Sequence, residues 1–353
     1  MSAARTPTPS RPMRAVAAGL AALAFASASA ACGSSGGGTA ASPHLDKVTV
    51  VLDWTPNTNH AGLYLARAKG WYRAAGLDVK IIQPGDAGAV QLLASGQADV
   101  AVSPQEELVP ARAQGIPVVA IAAIIQHNTS SLLSLAKEGI RGPADLVGHT
   151  YGGYGGPLEK ALVKKLVTCA GGDPKQVRFA EVGDVDYRVG LEKQQFDFVW
   201  IFDGWDKIRL ADIDHVKVAT IPFRAHTSCI PDWYTPMLAT TEHELSTRRA
   251  VLARFMDATR KGYQAAMAHP TEAADALIAA DPEIDADLVR RSAAYLATRY
   301  ADDPRRWGLQ DPAEWTRFVA FLRTAGLIHT ALPTASAFTN ELLTSSTSGT
   351  GGS

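Results

Sequence analysis

The run Val48-Thr49-Val50-Val51-Leu52-Asp53-Trp54-Thr55-Pro56-Asn57-Thr58-Asn59-His60 decides how the chain is read. Val48 to Leu52 is a β-branched apolar stretch, the mark of a buried strand in a parallel sheet. The polar stretch Asp53 to His60 leaves that strand at its carboxyl end. Ala61 to Lys69 then takes helical spacing and is closed by Gly70. The same unit recurs downstream. Leu77 to Ile82, Ala98 to Val102 and Pro117 to Ile125 read as strands, and Ala87 to Ser95 and Glu106 to Gln114 as helices that end at Gly96 and Gly115. A β-α-β-α-β-α-β order predicts a parallel sheet with helices on its faces.

A second α/β unit follows. Thr150 to Tyr154, Val177 to Glu181 and Phe196 to Phe202 read as strands, with Leu158 to Cys169 and Val185 to Lys193 as helices. From Glu242 the chain turns helical, over His243 to His269, Thr271 to Ala280, Asp285 to Tyr300 and Pro312 to Ala325. Two α/β units followed by late helices predict a bilobed protein with a cleft. Open α/β sheets bind ligands outside the carboxyl ends of their strands, so those loops are the ones to examine.

Composition narrows the classes. The 353 residues carry 34 Lys+Arg against 35 Asp+Glu, a formal net charge of −1, which gives no electrostatic case for nucleic acid. Three Cys do not make a disulfide scaffold. Arg5, Arg11 and Arg14 precede the Ala-rich run Ala15 to Ala26, which is shorter than the about 20 apolar residues of a spanning helix and reads as a signal-peptide core. Ser29-Ala30-Ala31-Cys32 and the Gly/Ser stretch after it resemble a bacterial lipoprotein cleavage site, with Cys32 as the lipidated residue. The expected organisation is a signal peptide over 1–31 and a lipid-anchored flexible linker over 32–46. One lobe takes 47–135 and 236–330, a second takes 136–235, and a tail takes 331–353, its last residues Ser345 to Ser353 disordered. Such a chain works on the extracytoplasmic face of a bacterial membrane, as a monomer. Cys169 and Cys229 are either bonded or two reduced, buried thiols; their separation does not decide it.

The strand-end loops hold Asp53, Trp54, Asn57 and His60; Gln105; Gln126 to Ser130 with Asn128; Asp203 and Trp205; and Tyr234. Amides, carboxylates and large aromatics together suit a flat, uncharged heteroaromatic ligand. Rings stack on it, and Asn, Gln and Asp read its edge. Trp54 alone would read as core and Asp53 alone as a turn cap; recurrence at equivalent strand ends sets them apart. Tyr151-Gly152-Gly153-Tyr154-Gly155-Gly156-Pro157 opens a helix carrying Glu159. It is neither a Walker A loop nor G-x-G-x-x-G. It admits a phosphate or carbonyl cradle around Gly153, or a tight turn with close backbone approach. His60 and His127 lack the spacing of a metal motif and read as hydrogen-bonding groups, so no metal and no cofactor are expected.

Leu52 to His60 resembles the periplasmic solute-binding proteins of ABC transporters for thiamine pyrimidine precursors. Further blocks agree: Gly96-Gln97-Ala98-Asp99, Gln126-His127-Asn128-Thr129-Ser130, Trp200-Ile201-Phe202-Asp203-Gly204-Trp205-Asp206, Tyr234-Thr235-Pro236 and Arg306-Trp307-Gly308. The resemblance spans about residues 47 to 328. It implies a type II periplasmic-binding-protein fold, two α/β lobes on a hinge. It also implies a 4-amino-2-methylpyrimidine ligand, hydroxymethyl or formylamino in type, and an ABC permease as partner. Trp54, Tyr154 or Trp205 would stack on the ring. Asp53, Asp203 or Glu159 would take the exocyclic amine, and Asn57, His60, Gln105 and Asn128 would read the rest. A eukaryotic pyrimidine synthase is related to the same family. It carries a Lys and a His after the third strand and a Cys-rich motif late in the second lobe. Here those stretches read Ser103-Pro104-Gln105-Glu106-Glu107 and Ser228-Cys229-Ile230-Pro231-Asp232-Trp233. These departures imply a binding protein rather than an enzyme. Alkanesulfonate, nitrate or riboflavin-type ligands would keep the fold, but anions call for Arg in the cleft loops, and those loops have none.

Overall fold

Val48, Val50, Val51 and Leu52 are buried, and the strand they build, β1 (Asp46–Val51), lies inside a five-stranded sheet. The computed structural model describes residues 44–183 and 185–344. The expected signal peptide, Cys32, most of the linker and the tail from Ser345 fall outside them. β1 pairs in parallel with β2 (Leu77–Ile82) and β3 (Val100–Ser103). Between them run α1 (Ala61–Ala68), the short α2 (Trp71–Ala74) and α3 (Ala89–Ala94). Then come α4 (Gln105–Ala113) and β4 (Val118–Ala123), the latter buried along its whole length.

The sheet departs from the all-parallel expectation. Its order is β2-β1-β3-β10-β4, and β10 (Met237–Thr241) runs antiparallel to both neighbours. The reason is chain path: β10 enters on the return from the second lobe, with no helical crossover to turn it parallel. The second sheet repeats the plan. It contains β5 (Ser130–Leu135), β6 (Thr150–Gly153), β7 (Arg178–Glu181), β8 (Phe198–Phe202) and β9 (Val218–Pro222), with α5 (Pro157–Cys169) and α6 (Tyr187–Glu192) between strands. Its order is β7-β6-β8-β5-β9, and β5 is antiparallel to β8 and β9. Ser130–Leu135 therefore belongs to the second sheet rather than to the 47–135 segment. Each sheet receives, as its fourth strand, the strand that follows a crossover.

The remaining chain covers the first sheet: α7 (Glu242–Thr247), α8 (Arg249–Ala268), α9 (Pro270–Ala280), α10 (Ala286–Leu296), α11 (Pro312–Thr324) and α12 (Glu341–Thr344). The single helix expected over 243–269 breaks at Arg248, whose guanidinium bonds Asp99 and the Lys47 carbonyl. The tail expected from 331 is instead packed up to α12. Ala120 and Thr339 exchange backbone hydrogen bonds with the 337–339 segment and β4, and Leu342 and Leu343 are buried. Cys169 and Cys229 are joined by a disulfide, with Cα atoms 6.1 Å apart. Neither is a buried thiol: Cys169 lies exposed at the end of α5. No helix among the described residues is long and apolar enough to cross a membrane.

One close approach aligns the site from behind. A Cβ on Gly262 would sit 2.2 Å from the Gly62 carbonyl, and one on Gly62 would meet the Tyr263 ring at 2.4 Å. Bare backbone lets α8 settle onto α1. Tyr263 then stacks on Trp307 and donates to the Asn59 carbonyl at 2.8 Å, holding the loop after β1. Gly262→Ala should therefore lower stability by about 1–3 kcal/mol through overpacking. Urea denaturation checks this; an unchanged midpoint would contradict the packing.

Candidate functional site

The loop after β1 is built around a buried histidine. The His60 ring is fully buried, and its Nδ1 accepts from the Asn57 N–H at 3.2 Å. The ring proton therefore sits on Nε2, which donates to Asp53 Oδ1 at 2.7 Å. His60 aims Asp53 rather than facing a ligand itself. Asn57 is also spent on the loop: its oxygen caps the Asn59 N–H at 2.9 Å and its amide donates to the Thr55 carbonyl at 3.0 Å. What the loop presents outward is the Asp53 carboxyl and Trp54, 56% exposed. So large an apolar ring in water is unusual and marks a contact surface.

The same loop touches the second lobe through hydroxyls. Ser292 of α10 donates to the Gly204 carbonyl and accepts from Thr58. Arg209 and Asp285 add an ion pair at 3.2 Å. Gly204 and Trp205 lie in a turn of π-helix, Asp203–Lys207, at the carboxyl end of β8. Trp205 packs half-buried against the first lobe's core, so it braces the lobes instead of presenting a free face.

In the second lobe the Gly-rich loop resolves into the close-approach reading. A Cβ on Gly153 would lie 2.5 Å from the Tyr151 ring, and one on Gly152 would lie 2.3 Å from Phe196. The Tyr154 and Gly156 N–H groups donate to the Glu159 carboxylate, at 3.3 and 3.1 Å. Glu159 thus fills the anion cradle from within the chain, which removes it as a phosphate site. Gly153, Tyr154 and Glu159 line a cavity of about 170 Å³ with Tyr187, Trp200 and Phe202 among its walls. That is the scale of a single ring, below the about 300–1,000 Å³ of drug-sized sites. Tyr154 is 54% exposed and Phe202 37%. Phe202 and Tyr187 were not among the expected residues. Phe202 stands at the end of its strand, the signal that would have found it.

A polar belt crosses between the lobes where the two crossovers run side by side. Gln105 accepts from the Tyr234 N–H at 2.9 Å, and Asn128 accepts from the Ser130 N–H at 2.7 Å. Asp203 takes the Ser131 hydroxyl at 2.9 Å and gives its own N–H to Thr129. Each still has a buried polar atom with no partner among the described residues: Gln105 Nε2, Asn128 Nδ2 and Asp203 Oδ1, with Ser130 Oγ beside them. An unpaired buried group costs about 1–3 kcal/mol, so a ligand that pairs these atoms recovers that free energy. Tyr234 does not join the belt through its ring. It is buried, and its hydroxyl accepts from the Asp311 N–H at 2.7 Å.

The electrostatics are acidic. Burial raises Asp203, and burial with the Asp203 charge pushes Asp206 up to about 6. Glu106, unforeseen in the sequence, is pushed up to about 8 by burial, with Glu107 and Asp53 adding repulsion. Behind the belt, His127 Nδ1 pairs with Asp232 at 2.6 Å and Nε2 with Asp302 at 3.2 Å. Glu314 completes a set of three metal-capable groups with His127 and Asp232. The Asp232 hydrogen bond favours the protonated imidazole, which donates to both aspartates.

A profile described as NMT1/THI5 like matches residues 57–273. A formylaminopyrimidine-binding protein of Halalkalibacterium halodurans is 29% identical over 79% of this chain and 85% of its own. A 4-amino-5-hydroxymethyl-2-methylpyrimidine phosphate synthase of Legionella pneumophila is 23% identical over 84% of this chain and 92% of its own. Among solved structures, the periplasmic aliphatic sulphonate binding protein of Escherichia coli superposes with a TM-score of 0.63. It shares 13% identity and covers 84% of this chain and 99% of its own. The architecture is that of the periplasmic binding proteins.

The Asp232 hydrogen bond, opposed by desolvation and by Arg224, raises the His127 pKa. A raised folded value means the contact stabilises fully below the unfolded value of about 6.5 and fades as pH rises through the folded one. The gap in urea midpoint between wild type and His127→Gln should therefore narrow above neutral pH. A gap that does not change with pH would refute the ion pair.

Proposed function

The chain belongs to the NMT1/THI5-like family, and from that membership we propose that it is the extracytoplasmic substrate-binding component of an ABC importer for a thiamine-precursor pyrimidine. The ligand is a 4-amino-2-methylpyrimidine of the hydroxymethyl or formylaminomethyl type. The observation that carries this reading is the belt of unpaired amides and carboxyl oxygen flanked by exposed aromatic rings. The amides donate to ring nitrogens or to a 5-substituent oxygen. Asp53 and Asp203 accept from the exocyclic amine, and Trp54, Tyr154 and Phe202 offer faces for the ring. The relative named for formylaminopyrimidine binding supports the ligand class. In the proposed cycle the lobes close over the pyrimidine about the two crossovers, a permease reads the closed form, and a lipid on Cys32 keeps the protein at the membrane.

Sulfonate binding is the second reading, because a fold neighbour is named for it. The first turn of α4 weighs against it: Glu106 and Glu107 occupy the helix end where backbone N–H groups would meet an anion. The enzyme reading rests on the synthase relatives. It lacks support at Ser103-Pro104-Gln105, the stretch after β3, where this chain has neither Lys nor His.

A thermal-shift panel tests the proposal. Hydroxymethyl- and formylaminomethyl-pyrimidine should stabilise the protein, by about 2.7 kcal/mol at a hundredfold excess over Kd, while taurine and nitrate should not. Asp53→Asn should weaken pyrimidine binding about 10- to 100-fold, as loss of a hydrogen bond to a charged group does. Silence with both pyrimidines at millimolar concentration would sink the reading.

A further inference from the structure

His127, Asp232 and Glu314 come from three distant parts of the chain. His127 lies in the crossover from β4 to β5, Asp232 in the crossover from β9 to β10, and Glu314 in the first turn of α11. One ligand-type atom from each lies within 4.8 Å of the other two, and all three residues are partly buried. Because the groups meet only in the fold, their spacing in the sequence forms no metal motif.

Each of the three is oriented by partners outside the set. A metal-bound imidazole usually gives its other ring N–H to a carboxylate, which fixes the tautomer. His127 has that partner: Nε2 lies 3.2 Å from Asp302 Oδ2, while Nδ1 lies 2.6 Å from Asp232 Oδ2. Asp302 is anchored in turn, its N–H donating to Gln126 Oε1 at 2.7 Å. Asp232 Oδ1 accepts the Asn128 and Trp233 N–H groups, which leaves Oδ2 for the His127 side. The Tyr234 hydroxyl accepts from the Asp311 N–H and bonds the Glu314 carboxyl. The charge around the set favours a cation. Arg224 acts on His127 as a positive neighbour, but Asp232 and Asp302 bond the same ring, and Asp232 and Asp311 both act on Glu314.

We propose that His127 Nδ1, Asp232 and Glu314 form a site for a divalent cation of the zinc type, which joins both crossovers to α11. The site stands apart from the pyrimidine reading. One imidazole with two carboxylates suits zinc better than calcium or magnesium, which take oxygen ligands. The cation takes the place of the proton between Nδ1 and Asp232, so binding releases that proton. At metal–ligand distances of about 2.0–2.2 Å, neighbouring ligand atoms stand roughly 3–3.5 Å apart. Nδ1 and Oδ2 therefore part slightly, and Glu314 closes in. Three protein ligands leave one position for water, which reaches the site because the His127 and Asp232 side chains are 20% and 12% exposed. Asp302 bonds the far side of the ring and is a positioning residue, not a ligand.

Calorimetry on the EDTA-stripped full chain tests this, with zinc chloride and calcium chloride as titrants. Zinc should bind at micromolar Kd or tighter, and calcium should not bind. His127→Gln and Glu314→Gln should each weaken zinc about tenfold or more, and Asp302→Asn by about 10- to 100-fold, as loss of an outer partner does. His243→Gln, on the exposed side of α7, should leave the affinity unchanged. Circular dichroism of the metal-free variants checks that they fold; Glu314→Gln keeps the side-chain volume and a group for Tyr234 to bond. Cobalt(II) gives a readout that a merely structural role would not move. Its visible absorption should appear with the wild type, vanish on zinc addition and be missing in Glu314→Gln. Absence of zinc binding at submillimolar concentration overturns the site. Zinc affinity unchanged in His127→Gln or in Glu314→Gln also overturns it, because the ion then sits elsewhere. Asp302→Asn binding as tightly as wild type overturns the positioning role.

Discussion

The Asp232 carboxylate ties the two crossovers together, and the site depends on that tie. Oδ1 accepts the N–H of Asn128 from one crossover at 2.9 Å and of Trp233 from the other at 3.0 Å, while Oδ2 takes His127. Three charge-assisted bonds on one side chain hold two backbone segments in fixed register. Asn128 is thereby positioned with its amide unpaired, and Trp233 is positioned to hold Glu106. Tyr234, one residue further, exchanges backbone and side-chain bonds with Gln105. The polar belt is thus a consequence of how the crossovers are stitched. A crossover that slid by one residue would turn these groups away from the cleft.

The first sheet was legible because its strands are apolar runs between glycine-ended helices. Val48 to Leu52 and the runs after it obey a local rule, and the loops at their carboxyl ends led to Asp53, Gln105 and Asn128, as the end of β8 led to Asp203. β5 and β10 were not legible. Ser130–Leu135 reads Ser-Ser-Leu-Leu-Ser-Leu, with no clean alternation, and its assignment to the second sheet depends on pairing with β8 and β9, which no local pattern encodes. The glycines at 152 and 153 could be read as close approach or cradle. Only the positions of Phe196, Tyr151 and Glu159 separate the two. Likewise, Asn57, His60 and Tyr234 have the chemistry of ligand contacts. Their bonds are spent on the scaffold, which composition cannot foretell. Glu106 was passed over because an acidic first turn is ordinary for a helix; its burial against Trp233 is tertiary.

The cleft collects carboxyls, and the Lys207 and Arg299 charges reach only part of them, at Asp203. Asp53, Glu106 and Glu107 come from the first lobe, and Asp203 and Asp206 from the second. Burial pushes the Glu106 pKa up to about 8, with the Glu107 and Asp53 charges adding to it. The result is a surface crowded with carboxyl oxygens, one of which, on Asp53, is held in place by the His60 ring. Such a surface repels sulfonates and offers little to a saturated hydrocarbon. In the proposed reading it pairs a flat molecule that carries donors and acceptors along one edge.

The unpaired atoms also explain how binding and closure can be coupled. Ser292 already joins Thr58 to Gly204, so the lobes have contacts of their own and do not need a ligand to touch. Contacts that form equally with and without ligand cannot signal occupancy, because only differential affinity shifts an equilibrium. The groups that can make the difference are those with no protein partner among the described residues: Gln105 Nε2, Asn128 Nδ2 and Asp203 Oδ1. Each carries the cost of a buried polar group without a protein partner and is relieved by a ligand that pairs it. Filling them with protein partners would stabilise the closed form and abolish its dependence on ligand, so a binding protein that must report occupancy has to leave them open.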